Sequence, residues 1–213
     1  MSGSVDSEAF ETRTREREAQ TFAMWIFLVS ETLIFGAFIL VYLIMRHRFS
    51  EGFDHAAAET SIRLGTANTV VLLTSSLTMA LADIRAEEGR PTARAWLVLT
   101  ALLGTLFLGI KIYEWHDHVR HGLAPFLGWE FAYDGPEPHA AALFFRLYFA
   151  LTGLHALHLA IGIALVAGTA VLWRRIAAEK RAQRAAVFAL YWHLIDVVWL
   201  FLFAFFYLAG RGP

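Results

Sequence analysis

There is no cysteine anywhere in the 213 residues, so disulfides, thiolate metal sites, iron–sulfur clusters and covalently attached haem are excluded. Charge is scarce as well. Asp, Glu, Lys and Arg make up 17% of the chain against 57% hydrophobic residues, and the net charge is −1. That balance offers no basic patch for a nucleic acid. Once the apolar runs are counted, too little chain is left for a separate soluble domain, and no internal repeat is evident. No small-residue cleavage site follows the first apolar block, which is therefore expected to be a retained span and not a removed leader.

What is present is apolar sequence in long blocks. Five runs, at about 22–46, 64–84, 95–115, 141–173 and 185–209, reach the roughly twenty residues that a bilayer-spanning helix needs. The expectation is an all-α integral membrane protein, a five-helix transmembrane bundle forming one membrane domain over residues 1–213, with a polar surface helix over 1–20. The second run is the most polar; its Asn68, Thr69, Thr74, Ser75, Ser76 and Thr78 are small enough to let helices approach closely. The long connection at 119–140 carries Phe126, Trp129, Phe131 and Tyr133, which suit a membrane–water boundary, as does Trp115. Eleven of the eighteen Lys and Arg residues fall on the side of the N-terminus, so the positive-inside rule predicts a cytoplasmic N-terminus and a periplasmic C-terminus.

Few ionisable groups lie deep in these runs: Glu31 in the first, His155 and His158 in the fourth, His193 and Asp196 in the fifth. Counted at 1.5 Å per residue from the presumed cytoplasmic ends, Glu31, Asp196 and His158 lie about 14, 18 and 22 Å in, so their depths overlap. His155 and His158 share one helix face, and Gly153, Ala156 and Gly162 leave room for a neighbour. These placements predict a contact between the first, fourth and fifth spans. An unpaired carboxylate at this depth is costly, and a hydrogen bond from Glu31 to His158 or His155 is the least costly solution. The alternatives are that Glu31 belongs to a proton path or lines a lipid pocket. His193 and Asp196, at i and i+3, face one partner or cavity, either as a helix-packing pair or as a binding site. Three deep histidines could hold one haem but not two, and a haem-copper oxygen-reducing centre needs more, so a cofactor in this chain is disfavoured. Lys111 and Glu114 stand at the far end of the third run; His116, Asp117, His118 and His121 beyond them read as solvated interfacial side chains.

The segment Tyr191-Trp192-His193-Leu194-Ile195-Asp196-Val197-Val198-Trp199-Leu200-Phe201-Leu202 resembles the most characteristic stretch of subunit III of the haem-copper cytochrome c oxidases. Thr152-Gly153-Leu154-His155-Ala156-Leu157-His158, Trp25 to Phe35 with Ser30-Glu31, Asn68 to Ser76, and Lys111-Ile112-Tyr113-Glu114-Trp115 are similar to further signatures of that family, in the same order. The resemblance implies a non-catalytic subunit of a proton-translocating oxidase in the bacterial inner membrane, working in aerobic electron transport. It implies no cofactor in this chain, with haem and copper in partner subunits, and bound phospholipid. It further implies a partnership with catalytic subunit I and other oxidase subunits, extending to a larger respiratory supercomplex. By position, Glu31 matches the family's glutamate beside a lipid cleft, His155 and His158 belong with it, and His193 and Asp196 are the signature pair of the last helix. Many relatives have seven spans, and the first two are missing here. The five-span length also suits subunit III-like proteins that accompany nitric oxide reductases. More distant readings are a single-haem anchor and a stand-alone transporter.

Overall fold

The computed structural model describes residues 2–126 and 131–210, with side chains for Arg15 and from Glu18 onward; Trp129 lies outside the described residues. Among the described residues all regular structure is helical: α1 (Ser2–Arg48), α2 (Ser50–Ala58), α3 (Ile62–Glu87), α4 (Ala93–Arg120), α5 (Pro138–Leu172) and α6 (Ala178–Phe203), the last continued by a π-helical turn, Ala204–Leu208. Five of these, all but α2, are long and apolar enough to cross a membrane. An apolar run that meets lipid must satisfy its backbone internally, which a helix does without help from neighbours.

α3 to α6 form the body of the bundle, with α4 packed between α3 and α5, and α6 closing the circuit against α3 and α5. The hydroxyls of α3 fold back on their own helix, as in Thr69 to Gly65 O (2.8 Å) and Thr78 to Ser75 O (2.8 Å), which hides them from lipid. Thr78 also meets Thr100 of α4 at 2.8 Å. α1 is peripheral: 22% of its most apolar stretch is buried, against 44% for α6.

Close approach depends on absent side chains at two places. A Cβ at Gly104 of α4 would stand 3.0 Å from the Trp192 indole, and one at Gly162 of α5 3.3 Å from the same ring. Trp192 therefore fills the seam between α4, α5 and α6, with its Nε1–H donated to Ser75 Oγ of α3 at 3.1 Å. At Gly65 of α3 a Cβ would come within 2.6 Å of the Tyr207 ring.

The connection expected at 47–63 contains α2. It is short and mixed in composition, but Phe53 is buried against Tyr42 of α1 and Phe144 of α5. Glu137, in the left-handed region at φ +49°, opens α5 and accepts the backbone N–H of Gly52 at 3.1 Å. The carbonyls left free at the C-terminal end of α6 are capped from other elements: Tyr42 OH donates to Phe205 O (2.6 Å) and Thr60 Oγ1 to Phe206 O (3.0 Å).

Candidate functional site

The deep polar residues divide into three groups. The first is built where α1 meets α5 and α6. Phe27, Glu31 and Phe35 recur every four residues and turn one stripe of α1 inward. Glu31 Oε2 lies 3.0 Å from His158 Nε2, and both side chains are nearly buried. His158 Nδ1 is 2.8 Å from the Leu154 carbonyl, which can only accept, so Nδ1 carries a proton. The carboxyl and imidazole groups therefore meet closely, although Glu31 Oε2 has no aligned hydrogen bond among the described residues. Tyr191 of α6 donates to His158 O at 2.8 Å, and its ring stacks on Phe27 with centroids 5.7 Å apart. The void beside the pair is about 10 Å³, no more than a single water requires, so the arrangement has no room for a larger ligand.

His155 borders this void but is otherwise engaged. It is 1% exposed, lies between the rings of Phe107 (5.6 Å) and Trp199 (5.3 Å), and neither of its ring nitrogens is hydrogen-bonded.

The second group is His193 with Asp196, and it does not join the first. Both turn toward α3: Ser76 Oγ lies 2.9 Å from His193 Nδ1, and Asp196 Oδ2 lies 3.8 Å from the same nitrogen, beyond hydrogen-bonding reach. Asp196 is buried, whereas the His193 side chain is 43% exposed on the outer face. α6 thus meets the Glu31–His158 pair through Tyr191 and presents His193 on another side.

The third group escaped the reading of the sequence. Lys111 and Glu114 are each 1% exposed and paired at 3.0 Å. Lys111 Nζ also donates to Tyr148 OH (2.8 Å) and Tyr207 OH (2.5 Å), and Tyr207 OH donates to Glu114 Oε2 at 2.8 Å. The rings of Tyr148, Trp199 and Tyr207 stand 4.5, 5.3 and 5.2 Å from the ammonium and supply cation–π attraction on three sides. One turn further along, His118 is buried and donates Nδ1–H to the Glu114 carbonyl at 2.8 Å, with its ring against Phe145 and Tyr148. The expectation of solvated side chains holds for His121, which is exposed, and fails for His118, because α4 continues to Arg120 and carries this turn back under α5. Trp115 is likewise turned inward, donating to Thr152 Oγ1 at 3.3 Å. The signal that could have found this cluster is a Lys and a Glu three apart on a helix whose other neighbours are apolar.

Among the described residues no three His, Asp or Glu side chains come together as metal ligands. Chemically, the three groups can share protons and hold helices together.

Comparison with known proteins points one way. The model of the family described as Cytochrome c oxidase subunit III matches residues 10–211. The chain is 32% identical over 219 residues to cytochrome c oxidase subunit 3 of Alkalihalophilus pseudofirmus, covering all of both chains. It is 29% identical over 213 residues to the probable quinol oxidase subunit 3 of Staphylococcus aureus, covering 97% of each.

Proposed function

The chain belongs to the cytochrome c oxidase subunit III family, and from that premise we propose that it is the non-catalytic third subunit of a proton-translocating haem-copper oxidase of the bacterial inner membrane. It packs on the catalytic subunit, holds phospholipid, and supports proton uptake and the working lifetime of that subunit. The relatives are named for both cytochrome c and quinol oxidases. The donor is set in other subunits, and we favour cytochrome c. The observation that carries the reading is the Glu31–His158 pair, a polar contact at 3.0 Å beside a void of about 10 Å³ that joins α1 to the bundle with no room at that point for a larger ligand. Phospholipid is assigned to the outward stripe of α1, where Ile26, Ile34, Phe38 and Val41 are exposed among the described residues. The N-terminus is cytoplasmic, and the basic turn with Arg174, Arg175 and Arg181 then stands at the level of the cytoplasmic head groups.

Two measurements test this. Purification of the native complex should recover the chain with a haem- and copper-bearing oxidase subunit and bound phospholipid, and its depletion should shorten the number of turnovers before inactivation; recovery with an unrelated partner would overturn the assignment. At the residue level, a hydrophobic carbodiimide should modify Glu31 slowly in the intact membrane and several-fold faster in His158→Ala, because removing the imidazole opens the void and frees the carboxyl. Equal rates in the two proteins would remove His158 as its partner.

A further inference from the structure

Between α1 and α6 runs an apolar groove of about 400 Å³, lined by Trp25, Val29, Leu33, Leu190, His193 and Val197. Leu194 separates it from the Glu31–His158 void. Its polar lining is sparse: Thr32, whose hydroxyl turns back on Leu28 O at 2.8 Å, the Trp25 indole and His193. His193 Nδ1 is engaged by Ser76 at 2.9 Å with Asp196 behind it, while Nε2 has no hydrogen bond within the described structure and belongs to a side chain that is 43% exposed.

Depth decides what can meet that atom. His193 is eight residues beyond Ala185, the first apolar residue after the basic turn, or about 12 Å into the run. The hydrocarbon layer is about 30 Å thick, so the His193 backbone lies near its midplane and the ring, leaning back toward the N-terminus of α6, stays within the hydrocarbon. A phospholipid places only acyl carbons there, with its esters and phosphate near the boundary. An unmet imidazole nitrogen in hydrocarbon costs free energy that no acyl chain returns.

We propose that this groove takes the head group of a lipid-soluble isoprenoid quinone, hydrogen-bonded to His193 Nε2. The volume suits a substituted ring with its first isoprene unit and falls in the usual range for small-molecule sites. Trp25 supplies a flat aromatic wall, and the lateral opening lets the isoprenoid tail run out into the bilayer. The Ser76 hydroxyl can serve Nδ1 as donor or acceptor, so the ring can present Nε2 either as a donor to a quinone carbonyl or as an acceptor from a hydroquinone hydroxyl. The groove therefore recognises both redox forms without itself exchanging electrons. Binding here is independent of where phospholipid lies on α1 and of which donor the oxidase uses.

The test uses the intact oxidase complex in lipid nanodiscs, photolysed with an azido-substituted decylbenzoquinone. Adducts mapped by mass spectrometry should fall on the segments 25–33 and 190–197 of this chain. They should be displaced by decylubiquinone but not by added dioleoyl phosphatidylglycerol. His193→Leu should lower the yield about tenfold, the loss of one hydrogen bond, and His193→Gln, which keeps a polar tip, should restore most of it. Unchanged adducts in His193→Leu, displacement by the phospholipid, or no adduct because a helix of another subunit fills the groove would each overturn the proposal. An intact complex of the variant, shown by its haem spectrum and subunit composition, separates these outcomes from failure to assemble.

Discussion

Replacing Lys111 by methionine alone is expected to destabilise the subunit by about 3–5 kcal/mol, the cost of leaving a buried charge without its partner. Glu114 would remain 1% exposed, with its Oε2 accepting only from Tyr207 and with Oε1 already lacking any partner. Methionine matches the volume of the lysine stem, so the loss reports charge and hydrogen bonding and not packing. The double variant Lys111→Met, Glu114→Leu should recover most of that loss, because the ion pair as a whole has offset its own desolvation only partly. Tyr148 and Tyr207 hydroxyls, 3.3 Å apart, then still have each other. Unfolding in mixed detergent micelles, with loss of the subunit from the complex as a second readout, gives both values. A single variant as stable as the parent would show that the cluster contributes nothing.

Trp192→Ala should cost a comparable amount, about 3–5 kcal/mol, for a different reason. Inside a bilayer, helices gain little from hiding apolar surface, since lipid is as apolar as leucine; close packing and hydrogen bonds hold them. Trp192 is fully buried, fills the space left by Gly104 and Gly162, and donates to Ser75. Alanine there empties the seam between α4, α5 and α6 and removes the donor to Ser75 Oγ, which keeps only its own bond to Leu72 O. Gly104→Leu in the same background should regain part of the loss by filling the void from the other side. Failure of that rescue, with Trp192→Ala itself near neutral, would mean that the seam closes over freely. The same micelle titration measures it.

The spans were legible because a run of apolar residues has only one way to satisfy its backbone in lipid. Overlapping depths narrowed the partner of Glu31 to His158 or His155, and the packing selects His158, at 3.0 Å. Rotation about the helix axis was less accessible. Reading His193 and Asp196 as facing one partner or cavity did not say which helix, and Ser76 of α3 emerges only from the packing. α2 was hidden because nine mixed residues carry little periodic signal and owe their helix to the Phe53 anchor and the Glu137 cap. Lys111 looked interfacial because hydropathy falls at charged residues, whereas α4 continues nine residues further and keeps the ammonium about 14 Å from its end. Two tyrosines distant in sequence, 37 and 96 positions away, make that burial possible, and no local window contains them.

The π-helical turn at the end of α6 gives residue number itself a structural meaning. It holds one more residue per turn than its continuation in α-helix would, and Tyr207 lies inside it. Excising one position from Ala204 to Phe206 removes that extra residue, so the last turn can wind on as regular α-helix while Tyr207 comes round to within a few tens of degrees of its present direction. In this last turn, therefore, chain length can shorten by one residue with the phenol still directed toward the ammonium, whereas the same deletion in the regular part of α6 would rotate every later side chain by about 100°.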